Sequence, residues 1–156
     1  DPLVKKLAQA TFDISEYIVD IAKKHGLAPG LQPLEGGVTL HLACHARAQN
    51  MGAKATEMMK LIPQQPGDLA VIERCAGHGG SWGVRKSSFE TAMKVGKPVA
   101  RSAGKVNKAH IASECPLAAL HIRQGMEREG KDKEGFALPA KAEHPVELFA
   151  KAYGLM

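Results

Sequence analysis

Aromatic side chains are scarce in this chain: four Phe, two Tyr and one Trp make up 4% of its 156 residues. The core therefore cannot be organised around large rings, and the supply of Ala, Gly and Met suits helices packed closely on a sheet. Long apolar runs are missing too. None approaches the roughly 20 residues of a membrane span, and nothing has the pattern of a secretory signal. Cysteine is limited to three residues, an odd number that argues against a disulfide framework and for a reducing compartment. The expected location is the cytoplasm, with docking through a partner at the inner face of the membrane as one arrangement. The chain opens on "DPLVKK" without Met, so a piece of a longer protein is expected. A net charge of +5 and a pI near 9.2 suit a nucleic-acid binder and equally a protein that docks on an acidic partner, and say little about fold. Other proteins or subunits are the expected partners, with no nucleic acid and no membrane span.

What is present alternates between two periodicities. Leu3, Leu7, Ala10, Ile14, Tyr17, Ile18 and Ile21 lie on one stripe of a helix predicted over residues 3–25, expected to pack on the sheet or to cover a neighbouring domain. "LAPGLQPLEGG" is a linker. Strands are predicted over 38–44, 69–75 and 109–115, and helices over 46–62, 86–105 (kinked at Pro98) and 116–129. An extended connection, "GKDKEGFALPAKAEHP", precedes a short helix, "VELFAKAYG". The β-α-β-α-β-α order predicts an α/β fold with a small parallel sheet and right-handed crossovers. Residues 1–36 form an N-terminal helix and linker, 37–130 the central domain, and 131–156 a C-terminal extension.

Cys44, Cys75 and Cys115 each occupy the last position of a predicted strand. In a parallel sheet those positions share one edge, where ligand sites collect. Strands are ~4.8 Å apart, so the thiols can converge on one small site. Helix N-termini face the same edge and favour negative charge. The alternative is three buried core cysteines, the commonest state of a free Cys.

The stretch "VIERCAGHGGSWG" follows the second predicted strand. It lacks the Lys and Ser/Thr spacing of a phosphate loop. Glu73 and Arg74 stand where a nucleophile elbow needs glycine. Gly77, Gly79, Gly80 and Gly83 let the backbone turn round a metal centre and offer N–H groups to sulfur. Among the histidines, His78 is the best fourth ligand, and His45 either ligates or hydrogen-bonds a sulfur. His25, His110 and His144 are expected in surface or cap positions.

"LACHARAQNMG", "IERCAGHGGSWG" and "ASECPLAALHIRQGM" resemble the three ligand segments of the cysteine-rich CCG domain, found in the B subunits of heterodisulfide reductases and the C subunit of anaerobic glycerol-3-phosphate dehydrogenase. The resemblance spans residues 37–126 and implies an iron–sulfur cluster, in some members of the family zinc. Cys44, Cys75 and Cys115 carry over as ligands, and His45, Gly77, Gly79 and Gly80 match the family pattern. Ala76 and Ala118 stand where the family has cysteine, which argues against a five-thiolate double cluster. Three thiolates suit a 4Fe-4S or 3Fe-4S cluster, or zinc with one histidine.

These readings give an iron–sulfur electron-transfer domain of an oxidoreductase complex, with metal ligands Cys44, Cys75, Cys115 and His78, and with redox partner proteins or other subunits or domains of an oxidoreductase as its partners. A zinc-binding structural module is the alternative. A hydrolase or transferase using Cys75 with His78 lacks an oriented third residue. A basic stripe, Lys94, Lys97, Arg101, Lys105 and Lys108, reads as a solvated helix face or as a docking surface for an acidic electron carrier.

Overall fold

The computed structural model describes residues 1–130 and 135–156. Strands β1 (Val38–His41), β2 (Leu69–Ile72), β3 (His110–Ser113) and β4 (Ala142–Glu143) form one parallel sheet in the order β2-β1-β3-β4. Around it lie α1 (Pro2–Gln9), α2 (Ile14–His25), α3 (Cys44–Ala48), α4 (Lys54–Met59), α5 (Phe89–Val106), α6 (Pro116–Gly130) and α7 (Pro145–Ala152). The expected α/β architecture is the observed one.

Alternation along the strands divides the core into two layers. Val38, Leu40, Leu42 and Ala112 pack with Val19 of α2, Met58 and Met59 of α4, and Leu148 of α7. Ile72 and Ile111 pack on the other side with Val99 and Ala103 of α5 and Ile122 and Met126 of α6. Burying a side chain such as Leu40 or Ile111, both wholly inaccessible, contributes ~1.5–3 kcal/mol. The chain passes from β1 to β2 on one side, then crosses to β3 on the other. This reversal beside β1 opens a crevice at the carboxyl ends of the strands.

Several boundaries differ from the sequence reading. The helix expected over 3–25 is two helices, because Asp13 takes an extended conformation and caps α2, its Oδ1 accepting from Ser15 N at 2.8 Å. None of α1 is buried, so its half of the apolar stripe does not pack on the sheet. The helix expected over 46–62 is split into α3 and α4 at Asn50 and Gly52, with φ of 56° and 82°. α5 runs unbroken through Pro98. The strands end at 41, 72 and 113, short of the cysteines. β4 arises in the segment read as an extended connection, of which 131–134 lie outside the described residues.

Candidate metal centre

Register fixes the height of each cysteine on the sheet. His41 is level with both Ile72 and Ser113. Cys44 and Cys75 follow three residues beyond their strands' last rungs, and Cys115 two beyond. All three therefore lie at one edge, on neighbouring strands, with Cys44 in the middle. Cys44 opens α3, and Cys115 immediately precedes α6, with Ala119 N donating to its carbonyl at 3.0 Å. The positive end of the α6 dipole thus lies at this edge and favours an anionic occupant. The thiols are free; those of Cys44 and Cys75 are exposed, and that of Cys115 is partly covered. Among the described residues, no three His, Cys, Asp or Glu side chains are gathered closely enough to form a ready-made metal site.

The glycine loop after β2 is seated on α5. Gly77 has φ +77°, and a Cβ there would meet the backbone of Ala92 and Gly96. A Cβ on Gly96 would in turn meet the Ala76 carbonyl at 2.5 Å. Two glycines thus let loop and helix touch backbone to backbone. Gly77 N donates to Cys75 Sγ at 3.3 Å, the kind of sulfur contact expected of this loop. Gly79 and Gly80 are exposed, with φ of 55° and 63°. Gly83 N closes the loop on the His78 carbonyl at 2.7 Å.

His78 is 6% exposed and meets His121 edge-on, their ring centres 6.1 Å apart. Nε2 of both rings is buried without a hydrogen-bond partner. Burial, then the neighbouring His121, lowers the pKa of His78 below its ordinary value. An orphaned imidazole nitrogen costs free energy that a bound metal would recover. Three thiols and an imidazole are donor types that suit a cluster or zinc, but the described neighbour of the His78 ring is His121 of α6 rather than a cysteine. His45, on α3, is exposed.

Other groups at this edge had no assigned role from sequence. His41, 2% exposed, donates from Nε2 to the Arg74 carbonyl at 2.8 Å and accepts at Nδ1 from Ser113 Oγ at 2.9 Å. A carbonyl can only accept, so it fixes the proton on Nε2. Burial lowers the pKa of His41, partly offset by the Arg74 carbonyl. Glu114, 7% exposed, accepts from Ala43 N at 3.3 Å, and burial pushes its carboxyl pKa up. Glu114, Glu73, Arg47 and Asn50 help line a cleft of about 250 Å³. No sequence pattern singles out His41 or Glu114, because their partners lie on segments distant in sequence.

Elsewhere, His144 caps α7, its Nδ1 accepting from Val146 N at 3.2 Å, as expected of a cap residue. His110 instead pairs with the buried carboxylate of Glu143 at 2.9 Å. In the basic stripe, Lys97 and Arg101 both bind Glu129, at 2.8 and 2.6 Å, so two of its charges are already matched.

The fold and this edge define a parallel α/β domain with three free thiols at the carboxyl ends of adjacent strands. The chain is similar to the B subunit of the fumarate reductase (CoM/CoB) of Methanothermobacter marburgensis, with 32% identity over an alignment of 123 residues that covers 76% of this chain. It spans 23% of the length of that curated relative. No protein-family model matches the chain, and no solved structure matches it.

Proposed function

We propose that this chain is an electron-transfer domain of an oxidoreductase complex, holding an iron–sulfur cluster of the 4Fe-4S or 3Fe-4S type on Cys44, Cys75 and Cys115. The observation that carries this reading is the register, which supports a common edge for all three cysteines. The cluster would supply one-electron redox chemistry. The residues around it bind and orient it: Gly77 N–H donates to the Cys75 sulfur, and the N-terminus of α6 offsets the negative charge. Gly79, Gly80 and His45, all exposed, would contact the cluster from the loop and from α3. The similarity to one subunit of a reductase supports a role beside other subunits, with the domain relaying electrons among them in the cytoplasm.

One observation favours a second reading. The orphaned Nε2 of His78 would complete a tetrahedral zinc site with three thiolates, and zinc would serve folding or assembly. Anaerobic purification followed by iron, zinc and acid-labile sulfide analysis separates the two. Iron with sulfide and a brown colour is expected. Stoichiometric zinc in a colourless protein would establish the zinc module instead.

A further inference from the structure

The three cysteines lie on three separate segments, and backbone pairing stops before reaching any of them. Beyond the last rungs, the relative positions of the thiols must be set by something else. One side chain touches the connection to all three. His41 belongs to β1, which leads to Cys44. Its Nε2–H donates at 2.8 Å to the Arg74 carbonyl, in the peptide unit that leads into Cys75. Its Nδ1 accepts at 2.9 Å from Ser113 Oγ, and that oxygen accepts from Cys115 N at 3.3 Å.

We propose that His41 is the positioning residue of the centre, a clamp whose two ring nitrogens hold the Cys75 and Cys115 segments at fixed places relative to Cys44. This inference rests on the reading of the edge as a metal centre. It explains why an imidazole and a hydroxyl occupy an interior row otherwise closed by Ile72. His41 and Ser113 are level and therefore share a face of the sheet. Both are at least 98% buried, so the bond between them is shielded from bulk water. An imidazole suits the task because one ring donates in one direction and accepts in another, with no rotatable bond between the two nitrogens. The bonds act on backbone and on a serine that touches backbone, so His41 shapes the site without ligating.

The test uses Co²⁺ as the probe, titrated anaerobically into the reduced, metal-free chain and read by thiolate-to-cobalt charge-transfer absorption. His41→Leu removes both arms, His41→Gln keeps a donor toward Arg74, and Ser113→Ala removes only the link to Cys115. His110→Asn serves as the stability control, because it breaks the buried contact to Glu143 at the opposite edge. His41→Leu is expected to bind Co²⁺ ~10–100-fold more weakly, as outer-shell changes do, with a shifted charge-transfer band. His41→Gln and Ser113→Ala should fall between it and the original protein, and His110→Asn should match the original. Affinity and band unchanged in His41→Leu, or an equal loss in His110→Asn, would overturn the clamp. A chain that binds no Co²⁺ through its cysteines would sink the metal reading itself. The clamp is then judged on intramolecular disulfide formation with diamide, expected to slow in His41→Leu and refuted by an equal rate. Ser113→Ala carries the same comparison if His41→Leu does not fold.

Discussion

Replacing Gly77 with Ala tests whether the loop that carries Cys75 is fixed to α5. Two costs combine there. The residue has φ +77°, and an L side chain in that region costs ~1–2 kcal/mol. The new Cβ would also lie 2.5 Å from Gly96 N, and overpacking of this kind costs ~1–3 kcal/mol. The expected total is ~2–5 kcal/mol, a large share of a typical domain stability of ~5–15 kcal/mol. Gly80→Ala isolates the first cost, because Gly80 has φ +63° with nothing within 4 Å of the added Cβ. Gly96→Ala isolates the second, since its φ is unexceptional and the added Cβ meets the Ala76 carbonyl at 2.5 Å. Its clash is offset by a helix-propensity gain of ~1 kcal/mol. Urea unfolding of the three variants by linear extrapolation reads the differences. Gly77→Ala should lie below Gly80→Ala by ~1–3 kcal/mol. Equal stabilities in those two variants would refute the backbone contact between loop and helix.

Acid should weaken the metal-free fold below about pH 6.5, the ordinary value for His41 and His78. Both pKa values are depressed by burial, so stability is full above that pH and falls as the unfolded chain takes up protons. Each histidine contributes a slope of ~1.4 kcal/mol per pH unit until its folded pKa is reached. Urea midpoints between pH 7 and 5 check this; a flat profile, or an acid limb no shallower in His41→Asn, contradicts it. Leu7→Gln on α1, where Leu7 is 68% exposed, should change stability by less than about 0.5 kcal/mol. A loss above about 2 kcal/mol would mean that this helix face is packed. Glu129→Gln releases Lys97 and Arg101 and should cost under about 1 kcal/mol, since those pairs face solvent. Thermal melts at low and high salt read that cost, which should vanish at high salt; a larger, salt-independent cost contradicts it.

Sequence periodicity reveals the sheet because strand and helix alternate cleanly from Val38 to Gly130. The short pieces are hidden. β4 has two residues and no apolar pattern, and the α1–α2 break depends on an Asp13 cap that a continuous apolar stripe disguises. The split between α3 and α4 is written in Asn50 and Gly52, which favour left-handed conformations. At the edge, the cysteines can be placed because parallel register converts sequence position into height. His41 cannot, because its meaning lies in Arg74 and Ser113, and those contacts exist only once three strands are paired. His121 is hidden similarly: nothing in α6 announces that its ring will meet His78.

On the proposed function, Cys44, Cys75 and Cys115 serve one iron–sulfur centre. The most direct measurement is iron and acid-labile sulfide per chain after anaerobic reconstitution, in the original protein and in Cys44→Ser, Cys75→Ser and Cys115→Ser. Bound iron with matching sulfide is expected in the original protein, with loss of most of both in every single variant. Iron and sulfide undiminished in any one of the three variants would contradict it.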